Sequence, residues 1–216
     1  MDKDAITIAV PKGRLFKDCM DLFGRMGVSV AEDVDTSRKL VFPSVDGSIR
    51  FLVVRDKDVP AYVKYGAADM GIVGKDVLVE AGKDLLEPID LGFGYCRIVV
   101  AEPASARRED PTGWGQARVA TKYPNISAAY FASRGEQVEV IPLHGSIELA
   151  PSVGLAERIV DLVSTGETLK QNNLVESDEI MHVTAKLVVN RASLKVRSES
   201  VVPLIEAMEK AVGVKS

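Results

Sequence analysis

Apolar residues along this chain switch between two spacings, and the switching predicts strands and helices in alternation. Ile6 to Val10 is a short apolar run, after which Leu15, Cys19, Leu22, Phe23 and Met26 recur at helical spacing and form one apolar face. Pro11-Lys-Gly-Arg14 is the junction between them. Leu40 to Pro43 and Ile49 to Val54 predict two strands around a Ser44-Val-Asp-Gly47 turn. In the next segment Asp58 is a suitable helix N-cap, Pro60 falls in the first turn where its missing N–H costs nothing, and Gly66 suits a left-handed stop. Met70 to Val73 reads as a buried strand with Asp69 and Gly71 near its ends; helix Lys75 to Ala81 and strand Leu85 to Leu91 complete a first α/β unit. Strand Arg97 to Ala101 then carries the chain across.

After Glu102-Pro103 a polar stretch to Gly115 reads as an exposed connection, and Trp114 within it as a packing residue. Arg118 to Thr121, Gln137 to Ile141 and Ile159 to Val163 are expected strands, with a helix from about Asn125 to Ser133 between the first two. A helix begins near Thr165, and Glu179 to Asn190 is a long strand-like run that returns the chain to the first unit. Val201, Leu204, Ile205, Met208 and Val212 make a closing amphipathic helix. A chain that leaves one α/β unit and comes back to it is consistent with two lobes across a cleft, a setting that favours ligand sites. The expected division is 1–95 with 185–216 as a discontinuous first lobe and 96–184 as the second. Periodicity alone does not separate this from a doubly wound single domain.

Composition narrows the class. With 216 residues, 46% hydrophobic and 27% charged, the chain can bury one good core or two modest ones. Its apolar runs are broken by charges or glycines before a membrane span is complete, and Met1-Asp-Lys-Asp-Ala leads directly into a strand, so a cytoplasmic protein is expected. Cys19 and Cys96 have no CxxC context and read as buried reduced thiols; His144 and His182 have no metal-ligand spacing, and His144 reads as structural. A formal charge of −4 and a pI near 5.4 argue against a nucleic-acid coat, though not against local basic pockets for anions.

The most informative stretch is Ile159-Val-Asp-Leu-Val-Ser-Thr-Gly-Glu-Thr-Leu169. A strand that runs through one carboxylate into a Thr-Gly-x-Thr turn and then a helix directs backbone N–H groups and hydroxyls at one spot, where the helix N-terminus also favours negative charge. Asp161, just before it, can accept hydrogen bonds from ribose hydroxyls. Together they would cradle a sugar phosphate. Ser164-Thr-Gly-Glu167 fits an ordinary capping box equally well, and on this segment alone both readings stand.

The run Glu148-Leu-Ala-Pro-Ser-Val-Gly154-Leu-Ala156-Glu-Arg-Ile159 and onward to Leu169 resembles the signature of the ATP phosphoribosyltransferases, the first enzymes of histidine biosynthesis. The N-terminal half is similar to the same family independently, in Val10-Pro-Lys-Gly-Arg-Leu15, Ser37-Arg-Lys-Leu40, Asp58-Val-Pro-Ala-Tyr-Val63 and Ala68-Asp-Met-Gly-Ile-Val-Gly74. The resemblance implies an α/β catalytic unit of the two-lobed type II periplasmic-binding-protein kind. There adenine N1 of ATP attacks the anomeric carbon of phosphoribosyl pyrophosphate, and pyrophosphate leaves. It implies substrate-bound magnesium, with no metal ligand from the protein. Ser164, Thr165, Gly166 and Thr168 would hold the 5-phosphate, and Asp161 with Glu148 the ribose hydroxyls. Lys12, Gly13, Arg14, Arg38 and Arg55 would face the triphosphate or pyrophosphate, Arg14 and Arg38 in the catalytic role, with Asp69 and Gly71 in the nucleotide pocket. Glu148 and Asp69 could equally cap a helix or pair with a neighbouring base. The family's long form carries a further C-terminal histidine-sensing domain, so this chain resembles the short form. That form associates with a subunit resembling histidyl-tRNA synthetase in a hetero-oligomer, and self-association as a dimer is expected. A solute-binding protein or another phosphoribosyltransferase are the rival classes, the first usually marked by an export signal and the second by paired acidic residues before the turn, where this chain has Val160-Asp161.

Overall fold

The computed structural model describes residues 5–32, 37–82, 84–105 and 116–213, so Trp114 and most of the polar stretch around it lie outside the described residues. The chain opens with β1 (Ile6–Pro11), α1 (Arg14–Arg25), β2 (Val41–Pro43), β3 (Ile49–Val54), a 3₁₀ turn at Asp56–Asp58, α2 (Val59–Lys64), β4 (Met70–Gly74), α3 (Lys75–Ala81) and β5 (Leu86–Asp90). It continues through β6 (Cys96–Pro103), β7 (Ala117–Thr121), α4 (Pro124–Ser133), β8 (Val138–Pro142), a second 3₁₀ turn at Ile147–Leu149, β9 (Arg158–Val163), α5 (Glu167–Gln171) and β10 (Leu174–Val183). β11 (Ala185–Val189), α6 (Arg191–Val196) and α7 (Ser198–Gly213) close it. Two compact units result, one made of the residues up to Gly94 and from Thr184 onward, the other of Tyr95–Val183. No helix among the described residues is long and apolar enough to cross a membrane.

The first unit is a six-stranded sheet in the order β2-β3-β1-β4-β11-β5, with β1 parallel to β3 and β4 and the remaining pairs antiparallel. Alternation along β1 sends Ile6, Ile8 and Val10 into a cluster with Leu22 and Phe23 of α1 and Met208 of α7, while Ala9 faces Val59 and Val63 of α2. Phe23 meets Phe51 of β3 edge to face, ring centroids 4.8 Å apart. Each fully buried side chain of this size contributes roughly 1.5–3 kcal/mol of hydrophobic stabilisation. Both cysteines are free and buried, and burial pushes the Cys19 thiol pKa up, out of the reactive range.

The second unit is a five-stranded sheet, β10-β6-β9-β7-β8, in which β9, β7 and β8 run parallel and β10-β6-β9 antiparallel. Ile159 and Val163 of β9 belong to the cluster on one face with Ile147 and Leu169, whereas Val160 packs on the other with Ile126 and Phe131 of α4. Asp161 therefore stands in the same row as Ile159 and Val163.

Four local expectations change. The single run expected over Glu179 to Asn190 is two strands, β10 in the second sheet and β11 in the first, because the chain changes sheet at Thr184. Asp58 makes no side-chain cap; its own N–H donates to the Arg55 carbonyl inside the 3₁₀ turn, which supplies the start of α2 instead. His144 is exposed and has no structural partner among the described residues. Helix α6 was not expected, and Asn190 caps it by accepting from the Ser193 N–H at 2.8 Å.

Gly71 lies where α2 crosses β4. A Cβ there would meet Val59 Cγ1 and Val63 Cγ2 at 2.8 Å each and the Ala9 carbonyl oxygen at 3.3 Å. Gly71→Ala is expected to destabilise the protein by about 1–3 kcal/mol through overpacking, with ligand affinities of the folded fraction unchanged. Urea unfolding measures the first and calorimetry the second; loss of ATP affinity at unchanged stability would return Gly71 to the nucleotide pocket.

Candidate functional site

A concavity of about 210 Å³ in the second unit is lined by Glu148, Asp161 and every residue from Leu162 to Leu169. Three local features build it. β9 delivers Asp161 onto the face occupied by the second 3₁₀ turn and α5. Gly166, at φ 79° and ψ 0°, turns the chain from the strand into α5 as its N-cap residue, a conformation for which glycine is suited. Ser146 begins the second 3₁₀ turn at φ 50°, an uncommon conformation for a residue with a side chain, and brings Glu148 to the rim.

The capping-box reading of this segment is not realised. Helix α5 starts at Glu167 behind Gly166, with no side-chain cap, so Ser164 is too early in the chain to serve as one. Thr165 Oγ1 accepts only a long 3.4 Å bond from the Glu167 N–H. Among the described residues the hydroxyls of Ser164 and Thr168 have no hydrogen-bond partner, and the amides of Thr165, Gly166 and Thr168 donate to no other group. These exposed donors, gathered at one turn, suit a phosphate.

Asp161 is the electrostatic centre of the concavity. Its side chain is 22% exposed. Burial raises its pKa above the ordinary aspartate value and nearby Glu148 adds to the shift, against the opposing pull of Lys122 and the Leu162 N–H. The Leu162 N–H donates to Oδ1 at 2.7 Å, and Lys122 Nζ lies 3.4 Å from the same oxygen. Oδ2 accepts no hydrogen bond among the described residues. Lys122 was not among the residues singled out from sequence. Its signal was its place one residue beyond strand Arg118 to Thr121, and that signal needs the pairing of β7 with β9 to be read.

The cationic candidates lie in the first unit. Lys12 donates its backbone N–H to the Val54 carbonyl at 2.7 Å, so Lys12 and Arg55 leave neighbouring parallel strands at their carboxyl ends, where open α/β sheets bind ligands. Gly13, at φ 101° and ψ −139°, makes the turn into α1, and Arg14 is that helix's first residue; its first turn carries no acidic side chain. Lys12, Arg14, Arg38 and Arg55 are all exposed, and none has an ion-pair partner among the described residues. Arg38 lies in the segment before β2, and the antiparallel pairing of β2 with β3, continued by the Val53 N–H donating to the Leu40 carbonyl at 2.8 Å, runs that segment toward the carboxyl end of β3.

Asp69 and Gly71 do not join this group. Asp69 Oδ2 accepts from the Thr7 N–H at 2.8 Å and from Arg197 Nη1 at 2.7 Å, which ties β4 to β1 and to the start of α7. Thr7 and Lys12 are separated by about 16 Å along β1 at the usual rise per residue, so Asp69 serves the amino ends of these strands and not the cationic carboxyl ends. Gly71 is taken up by the packing of α2.

A family model described as HisG: ATP phosphoribosyltransferase matches residues 55–210. An ATP phosphoribosyltransferase of Geobacter metallireducens is 56% identical over 210 residues, covering 97% of this chain and 99% of that protein. Among solved structures, a chain of the ATP phosphoribosyl transferase (HisG:HisZ) complex from Thermotoga maritima is 36% identical at a TM-score of 0.83, over 97% of this chain and all of that one. The periplasmic aliphatic sulphonate binding protein SsuA from Escherichia coli shares the fold, with a TM-score of 0.61 at 12% identity over 99% of this chain and 74% of its own. Sequence likeness over nearly the whole length, together with a Thr-Gly-x-Thr turn of free amides beside an inward carboxylate, makes this chain a member of the ATP phosphoribosyltransferase family.

Proposed function

We propose that this chain transfers the phosphoribosyl group of phosphoribosyl pyrophosphate to N1 of ATP, releasing pyrophosphate and forming N1-(5-phosphoribosyl)-ATP in the first step of L-histidine biosynthesis. The observation that carries the reading is the concavity in which the free hydroxyls of Ser164 and Thr168 and the free amides of Thr165, Gly166 and Thr168 lie next to Asp161 and Glu148. At about 210 Å³ it is smaller than the roughly 300–1,000 Å³ pockets that enclose a drug-sized ligand, and it suits a sugar phosphate.

The 5-phosphate accepts from the turn's amides and hydroxyls while the carboxylates of Asp161 and Glu148 accept from the ribose hydroxyls. Adenine N1 carries a free lone pair at neutral pH, so no general base is required. What remains is alignment of two polyanions and stabilisation of the leaving pyrophosphate. Lys12, Arg14, Arg38 and Arg55, exposed and without carboxylate partners among the described residues, suit that task.

Among the described residues no group of three or more His, Cys, Asp or Glu side chains is placed to hold a metal ion. The donor set of the concavity, two carboxylates and a row of hydroxyls, fits magnesium that brings diphosphate oxygens and water as its ligands, whose waters Asp161 and Glu148 would hold. Such an ion supplies charge neutralisation of the diphosphate. A cytoplasmic setting accords with the two substrates. Likeness to the Thermotoga maritima chain supports a hetero-oligomer with a histidyl-tRNA-synthetase-like regulatory subunit, beside self-association as a dimer. Histidine should then inhibit pyrophosphate release when that subunit is present, and inhibition of the chain alone would contradict the arrangement.

The direct assay supplies phosphoribosyl pyrophosphate and magnesium with either ATP or a free base and measures pyrophosphate. Release that depends on ATP is expected; release with a free base in its place overturns the assignment. Gly166→Val places a β-branched residue at positive φ, with its Cβ 3.5 Å from Glu176 Oε1, a carboxylate that Arg97 holds in place. It should weaken phosphoribosyl pyrophosphate binding by roughly a hundredfold, the loss of one or two charge-assisted hydrogen bonds. Near-normal affinity of the folded variant in calorimetry removes the turn from the site. Arg14→Ala and Arg38→Ala should each lower the single-turnover rate about a hundredfold, corresponding to roughly 2.7–4 kcal/mol of transition-state stabilisation. Wild-type rates and ATP affinities in both would make them surface residues.

A further inference from the structure

Lys122 follows β7 directly, and the strand pairing decides where its side chain goes. β7 and β9 are parallel, with Ala120 opposite Ile159 and Thr121 opposite Val160, so one more step in the same register sets Lys122 beside Asp161 on the face that carries the concavity. Thr121 locks this turn. It is fully buried, its Oγ1 donates to the Val160 carbonyl at 2.7 Å and accepts from the Tyr123 N–H at 2.9 Å, and its carbonyl accepts from the Leu143 N–H at 2.8 Å. The Lys122 ammonium then lies 5.0 Å from the centroid of the buried Tyr123 ring and 3.4 Å from Asp161 Oδ1. A solvated lysine on a strand end would have neither a locked backbone nor two partners.

We propose that Lys122 is a positioning residue of the phosphoribosyl site, holding Asp161 by Oδ1 so that Oδ2 is kept as the acceptor for the ribose hydroxyls. The proposal rests on the assignment of Asp161 to those hydroxyls. The hydrogen bond from the Leu162 N–H and the nearest approach of the Lys122 ammonium both fall on Oδ1, which orients the carboxylate and leaves its second oxygen without a hydrogen bond among the described residues, open to the ligand. The charged groups that act most strongly on Asp161 among the described residues are Lys122 from the turn after β7 and Glu148 from the second 3₁₀ turn, the first favouring the carboxylate and the second opposing it. Removing Lys122 leaves burial and Glu148 without their strongest opposing side chain, so Asp161 takes up its proton at higher pH and accepts hydrogen bonds less well. The pair is partly open to water and adds little to folding, so its effect appears in binding.

The test is calorimetric titration of the magnesium-loaded protein with phosphoribosyl pyrophosphate across the acid range, for wild type, Lys122→Met, Lys122→Gln, Lys122→Arg and Asp161→Asn. Ionisation of the ligand is common to all five, so differences between them belong to the protein. Lys122→Met and Lys122→Gln should bind on the order of tenfold more weakly at neutral pH, in line with loss of one charge-assisted contact, and should lose affinity at a higher pH than wild type as the solution is acidified. Lys122→Arg should restore most of both, and Asp161→Asn should remove the acid limb that Asp161 contributes. Wild-type affinity and an unmoved acid limb in both neutral Lys122 variants, with Asp161→Asn impaired, would overturn the proposal and leave Asp161 in the site. Unchanged binding by Asp161→Asn would remove Asp161 itself, and the positioning role with it.

Discussion

A carboxylate in the inward row of a central strand is the constraint around which the second unit is organised. Ile159 and Val163 pack into the cluster that holds the second 3₁₀ turn and α5, and Asp161 between them occupies a position that the alternation of β9 would give to an apolar side chain. Its raised pKa means that the folded protein binds this proton more tightly than the unfolded chain. The contribution to stability is therefore unfavourable at pH above that raised pKa and disappears as pH falls below the unfolded aspartate value of about 3.9. A residue that folding would be better without, placed beside a turn with free amides and hydroxyls, accords with the proposed phosphoribosyl site.

Similar economy separates the two ends of β1 in the first unit. At the amino end Asp69, Thr7 and Arg197 satisfy one another and join β4, β1 and α7, so the charge there is consumed by the frame. At the carboxyl end Lys12, Arg14 and Arg55 surround the Gly13 turn, and among the described residues no carboxylate answers them. Unpaired cations at a helix N-terminus repel one another and the helix dipole, a state relieved by an anion. The sulphonate-binding relative in fold shows that the architecture alone does not specify chemistry; the residues at these two places do.

Much of the two-lobed α/β fold could be read from the chain because most elements are long enough to show a period. The apolar stripe of α1 and the runs of β1, β3, β4 and β9 all appear where their spacing puts them. The break between β10 and β11 could not be read, since the alternating pattern runs through Thr184 without a turn residue while the backbone changes sheet there. Helix α6 is too short to display periodicity, although Asn190 three residues before Ser193 was a capping signal. At the site, the Thr-Gly-x-Thr turn with Asp161 and the junction of Lys12, Gly13 and Arg14 was visible as motif. For Asp69 the structure realises the alternative of pairing with a base, Arg197, because proximity to a strand does not say which end of its neighbours a residue serves, and Lys122 was missed because only strand register brings it to Asp161.

The central claim is that Asp161 is held for a ligand at the expense of the fold. Thermal melting of Asp161→Asn against wild type at neutral pH, with and without magnesium phosphoribosyl pyrophosphate, measures both sides at once. The account predicts that the variant without ligand melts at or above the wild-type temperature and that the ligand-induced rise seen in wild type is largely lost. A variant that melts well below wild type and still gains the full ligand-induced rise would show Asp161 to be a structural residue, and would contradict the account.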